Sequence, residues 1–115
     1  MKIRQGFVSN SSSSSFIITN KTDEPKTLVD FVRENPQFID DFVEQYDWYK
    51  DNPQFTQENL IRGAELEDIT FPPNKQRQCI FGDEDGTVIG HVFDYILRDG
   101  GSSASFRWRY HESLR

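Results

Sequence analysis

Apolar residues at Phe38, Ile39, Phe42, Val43, Tyr46 and Tyr49 recur at helical spacing, with Asp40, Asp41, Glu44, Asp47 and Asp51 on the other sides. This pattern predicts an amphipathic helix of about three turns. Asn35 is placed to cap it, Pro36 suits its first position, and Asn52-Pro53 ends it because a residue before proline is pushed out of the α region. A shorter helix precedes it. Thr27 and Asp30 have capping-box spacing, and Leu28, Phe31 and Val32 follow at i, i+3, i+4. Thr56 caps a third helix with Leu60, Ile61 and Ala64 inward, weakened at Gly63 by up to about 1 kcal/mol relative to alanine. A fourth starts at Thr87, buries Val88, Ile89, Val92, Phe93, Ile96 and Leu97, and stops at Gly100-Gly101; a strand over residues 87–89 is the competing reading.

Strands announce themselves by a different period. Phe106, Trp108 and Tyr110 alternate with Ser105, Arg107 and Arg109, which predicts a half-buried strand with an arginine-bearing outer face. Residues 16–19 and 78–81 are β-rich runs, the second followed by the turn-forming stretch 82–86, and Pro72-Pro73-Asn74 separates it from the helical third. About four helices and three short strands without regular βαβ alternation predict an α+β fold, the helices packed on one small sheet. Phe38, Phe42, Tyr46, Val92, Phe93, Ile96, Phe106 and Trp108 are expected to share its core.

Composition limits the size of that core. A chain of 115 residues has room for one. Only 35% of residues are apolar, but ten Phe, four Tyr and two Trp carry enough buried area to exclude wholesale disorder. No apolar run reaches the roughly 18 residues of a membrane span, and nothing near Met1 has the layout of a secretory signal, so a cytoplasmic protein is expected. Cys79 is the only cysteine, which rules out an intrachain disulfide and suggests a buried, inert thiol in a strand.

Residues 1–15 read as a serine-rich N-terminal arm and 16–115 as a single α+β domain. Ser11 to Ser15 alone would be a flexible linker, but Phe7 and Val8 before them and Phe16, Ile17 and Ile18 after them are apolar anchors, which favours a packed arm. The string Arg4-Gln5-Gly6-Phe7-Val8-Ser9-Asn10, running through the serines into Phe16, resembles the opening of a set of small tailed-phage and bacterial proteins of unknown function. The stretch from Gly86-Thr87 through Tyr95-Ile96-Leu97-Arg98-Asp99-Gly100-Gly101-Ser102 to Trp108 is similar to what some of those phage proteins carry. The resemblance implies provenance and compartment, and attaches no activity.

Candidate chemistry is sparse. His91 and His111 are the only histidines, no zinc-ligand spacing occurs, and no cofactor motif is present. His91 lies three residues before Asp94, so a base and its orienting partner are conceivable if a serine folds across, yet an exposed Asp94–Arg98 pair on a solvated helix side explains the same residues. A phosphate-binding nest in the serine run lacks the glycines it needs.

Charge says more. Residues 21–70 hold thirteen acids and five bases, a net of −8 within an overall −6, so the acidity sits on the helical middle. Asp40, Glu44, Asp47 and Asp51 at i, i+4, i+7, i+11 form one stripe, which is either the solvated side of a helix or a mimic of nucleic-acid phosphates. Arg107 and Arg109, with Arg77 on a neighbouring strand, are expected to form a small basic patch on the opposite surface. Nucleic acid is a poor ligand for it, because the rings face away from the arginines and the net charge repels a polyanion. The expectation is a non-enzymatic accessory protein, phage-encoded, that binds a host or phage protein in the bacterial cytoplasm. Its alternatives are an acidic inhibitor that mimics nucleic acid on a host DNA- or RNA-binding protein, and a small hydrolase or transferase using His91 and the serine run.

Overall fold

A computed structural model describes residues 13–45, 53–82 and 88–113. The chain enters as strand β1 (Ser14–Asn20), passes a two-residue strand β2 (Lys26–Thr27), and forms helices α1 (Leu28–Glu34), α2 (Gln37–Gln45) and α3 (Gln57–Glu67). Strands β3 (Thr70–Phe71) and β4 (Gln76–Phe81) follow, then helix α4 (Val88–Ile96), a 3-10 turn over Leu97–Asp99, and strands β5 (Gly101–Ser102) and β6 (Phe106–Ser113). Four helices therefore pack with a sheet, in keeping with the α+β reading.

The strand count needs correcting. Among the described residues the main sheet has four strands in the order β4-β1-β6-β5, and β2 pairs with β3 in a separate ribbon, where the sequence predicts one sheet of three. All these pairings are antiparallel. The missed strands have two residues each, too short to display a period of two. β1 also starts earlier than its apolar run, taking in Ser14 and Ser15, which with Ser13 are buried.

Local signals explain the helices. Thr27 caps α1 with its side chain accepting from Asp30 N–H while the Asp30 carboxylate accepts from Thr27 N–H, the full capping box. Thr56 caps α3 by accepting from Asn59 N–H at 3.2 Å. Asn35 does not serve α2 as its side-chain cap. Its amide donates to Phe31 O (3.0 Å) and Ser103 Oγ (3.3 Å), while its Oδ1 accepts from Gln37, so this buried residue closes α1 instead. α4 is a helix from Val88 onward, against the strand alternative, and its 3-10 extension ends at Gly100 with φ 69°. The expected cap Thr87, and Tyr46, Asp47, Tyr49 and Asp51 of the second helix, lie outside the described residues.

The helices cover one face of the sheet, and an aromatic cluster fills the space between. Phe31 of α1 sits 5.1 Å from Phe106, 5.3 Å from Trp108, 5.4 Å from Phe38 and 5.7 Å from Phe93, mostly edge to face. Phe38, Phe42, Val92, Phe93, Phe106 and Trp108 are all buried in this core, and Ile96 packs partly buried against it, as expected. Gly63 sits at a close approach: a Cβ on it would lie 3.0 Å from Ile89 Cγ2, so any larger residue there requires the Ile89 side chain to give way.

Glu34 at the end of α1 fastens the helix to the last hairpin. Its carboxylate accepts from the Ser103 hydroxyl and from Ser105 N–H at 2.8 Å. Partial desolvation would raise its pKa, but the bonds from Ser103 and Ser105 and the charge of Lys26 outweigh it and hold the carboxyl below its ordinary value. The stabilisation is thus present above the unfolded carboxylate range and is lost as pH falls through the lower folded value. Glu34→Gln should lower stability at neutral pH by no more than about 1 kcal/mol, the group being largely solvated, and the gap from the parent should vanish in acid; denaturant melts at several pH values read this out, and a pH-independent gap would refute it. Phe31→Ala should cost ~3–5 kcal/mol by opening the centre of the aromatic cluster, whereas Leu66→Ala, at an 82% exposed residue, should leave the melting temperature unchanged.

Candidate functional site

Among the described residues the sheet's other face carries no helix, and register decides what it displays. Residues directly opposite in a ladder share a face. Thr19 lies across from Gln76 and Arg107, and Ile17 from Gln78 and Arg109, which makes two rows on the open side. Ile18 lies across from Arg77 and Trp108, a row on the helix side. Arg107 and Arg109 are therefore together on the open face, and both are exposed. Arg77 does not join them: its parity puts it on the other face, where its guanidinium donates to Thr70 O at 3.2 Å. Phe106 and Trp108 alternate into the core as expected, while Tyr110 is 38% exposed and meets Phe16 edge on at 5.9 Å.

Between the two rows and β5 is an open concavity of about 370 Å³, lined by Ile17, Thr19, Gln76, Ser102, Arg107 and Arg109. Gly101 borders it too, and a Cβ there would come within 2.7 Å of the Trp108 ring, so the glycine lets the indole pass beneath the strand. Neither Arg107 nor Arg109 makes an ion pair or side-chain hydrogen bond among the described residues. Ile80 extends the same face as an exposed apolar residue. Of these lining groups the sequence points only to the two arginines. The alternation of Ser15, Ile17 and Thr19 with Ser14, Phe16 and Ile18 carries the rest, but both sets mix apolar and hydroxyl residues, so the face cannot be read from them.

The acidic stripe is on the helical layer. Asp40 and Glu44 are exposed on α2, as is Asp41 beside them, and Asp47 and Asp51 lie outside the described residues. The arginine pair and these carboxylates thus belong to different layers of the fold.

The serine run meets a histidine, though not the expected one. Ser15 Oγ lies 3.4 Å from His111 Nδ1 and accepts from Gln78 Nε2 at 2.7 Å. A bulge opposite the Ser15–Phe16 step makes His111 the extra residue of β6 and brings its ring over. Glu112 Oε1 approaches the same nitrogen, Nδ1, at 3.7 Å. In a nucleophile relay the base uses one ring nitrogen for the hydroxyl and the other for its orienting acid. Here both converge on one nitrogen, and Ser15 is fully buried, so the trio joins strands and does not assemble a nucleophile. His91 instead packs edge on against Phe55 at 5.9 Å.

Asp94 is a second departure. The pair with Arg98 forms, Nη2 to Oδ1 at 3.0 Å, but Asp94 is fully buried where a solvated helix side is the expectation. Arg98 also donates from Nε to Asp94 O and reaches Ser14 Oγ at 3.5 Å, so the interaction ties α4 to β1. Asp94 Oδ2 is buried without a hydrogen-bond partner among the described residues, so the pair leaves one acceptor unsatisfied.

Among the described residues no group of three or more His, Cys, Asp or Glu side chains converges as a metal would require, and no helix is long and apolar enough to cross a membrane. In comparisons with known proteins, no family model, no curated protein and no solved structure matches the chain.

Cys79 is buried in β4 beneath the helices. Burial pushes its thiol up to about 12, with Glu67 adding to the shift and Arg77 opposing it. The nucleophilic thiolate is therefore essentially absent at neutral pH. A thiol reagent should leave the native protein unlabelled over hours and label it stoichiometrically in denaturant; rapid labelling of the native protein would show that β4 opens readily.

Proposed function

We propose that this protein is a non-enzymatic binding protein and that the open face of its sheet is the contact surface. The observation that supports this is that Arg107 and Arg109 are unpaired among the described residues. In a chain with nineteen acids and thirteen bases, cations are the scarce partner, yet these two stand side by side on an exposed face with no carboxylate engaged. Exposed guanidinium groups around a small apolar floor suit a protein contact, where arginine is enriched and its planar fork recognises carboxylates. The N-terminal string's resemblance to small tailed-phage and bacterial proteins favours an accessory role in the bacterial cytoplasm.

A second reading keeps the acidic layer as the active surface, a mimic of nucleic-acid phosphates held against a basic host protein. Asp40, Asp41 and Glu44, exposed and without ion pairs among the described residues, favour it. It ranks second because a helix buried on one side shows such a face without any functional demand.

Capture from bacterial lysate with the purified full chain separates the two. An R107E/R109E variant should lose the captured partner while melting within a few degrees of the parent, since both side chains are solvated. A D40K/E44K variant should keep it. The reverse pattern would transfer the function to the acidic helix, and capture indifferent to both variants would refute the sheet face as the contact.

A further inference from the structure

We infer that the open face takes an extended acidic segment of a partner protein, with carboxylates at alternate residues. This rests on the sheet face being the contact surface and goes further by fixing the chemistry of what sits there. Arg107 and Arg109 are two positions apart on one strand, so their backbone origins repeat every ~6.6–6.8 Å. An extended chain laid along β6 presents its own same-side groups at that repeat, so Glu-x-Glu or Asp-x-Asp offers one carboxylate to each guanidinium. Each pairing has the geometry of two parallel N–H to oxygen bonds.

The concavity suits the backbone of such a segment. Ile17 forms an apolar floor, and the side chains of Gln76 and Ser102 stand at opposite sides with no side-chain hydrogen bond among the described residues. Those two groups can donate to and accept from the peptide units of a chain passing between them. A volume of about 370 Å³, open on one side, accommodates a strand crossing the face.

Charge favours a peptide over a nucleic acid. Two arginines neutralise two carboxylates completely, whereas each phosphate of a polyanion beyond the second would enter the field of a molecule carrying −6. A protein segment can confine its charge to the pair that is matched.

The test titrates the isotope-labelled full chain at low salt with capped Glu-Ser-Glu-Ser-Glu, with its Gln-Ser-Gln-Ser-Gln counterpart, and with single-stranded oligothymidylate. The Glu peptide should shift the amides of Ile17, Thr19, Gln76, Arg107 and Arg109, and should bind about tenfold more weakly to R107Q or R109Q and about a hundredfold more weakly to the double variant. The Gln peptide should not bind. No binding of the Glu peptide, equal binding of the Gln peptide, tighter binding of the oligonucleotide at the same residues, or self-association through Asp40 and Glu44 would each overturn the inference. If the Glu peptide fails while R107E/R109E still abolishes capture from lysate, only the extended acidic segment is lost; if capture ignores the arginines, the contact surface itself is lost.

Discussion

The register of β1 is the constraint on which the rest of the molecule depends. It is the strand with a full-length neighbour on each side, β4 and β6, so its alternation sets which side chains of both neighbours face the helices. A slip of one residue would carry Ile17 and Thr19 into the core and lift Phe16 and Ile18 into solvent, together with every residue paired to them. The strand is pinned at both ends. At its C-terminal end the buried Asn20 amide donates to Glu24 O and Phe71 O, and its Oδ1 accepts from Thr22 N–H and Oγ1. At its N-terminal end Ser14 faces Arg98 of the helical layer, and Ser15 meets Gln78 and His111 of the two neighbouring strands. Hydroxyls suit this end because a strand buried from both edges leaves a side chain there little room and no water, and a serine can be satisfied by one neighbour on each side.

How much of this the sequence discloses depends on the range of the interaction. Thr27 with Asp30, Thr56 with Asn59, and the 106–110 alternation are encoded within a few residues, and the structure reproduces them. The core aromatics follow from the same local periodicities. What escapes is settled by residues far apart in the chain. Ser14 and Ser15 are read as part of an arm ahead of the first strand, because nothing nearby says that Arg98, Gln78 and His111 will meet them within it. Arg77 reads as a neighbour of Arg107 because its strand is adjacent to β1, but parity depends on a register that only the assembled sheet fixes. Asn35 has the right position to cap α2, and the competing acceptors Phe31 O and Ser103 Oγ turn its side chain away.

Gly63 and Asp94 show the same limit from the side of energy. By local propensity a glycine inside α3 is a weakness, and by local charge Asp94 and Arg98 are a surface pair of small worth. Packing adds to both accounts. The missing Cβ of Gly63 lets α3 approach Ile89, and burial makes Asp94 a fixed point that Arg98 must answer. A buried carboxylate with a single cationic partner is costly to break, so the pair fixes the turn that follows α4 and holds the Arg98 guanidinium where it reaches Ser14.

The separation of charge between the two layers then follows from the architecture. Helices solvated on one side bear most of the described carboxylates of residues 21–70, while the open sheet face, built from strands with few acids, carries Arg107 and Arg109. A carboxylate on that face could pair with them, and Glu112 does share it, lying across from Ser15 in the row beyond Ile17 and Arg109. The nearest acid along β6, Glu112, instead approaches His111 at 3.7 Å. The bulge that makes His111 the extra residue thus brings one ring nitrogen toward both Ser15 and the one acid of that strand. The ring that meets the buried serine is therefore also the group that the open face's own acid approaches, and among the described residues no ion pair joins that acid to Arg107 or Arg109.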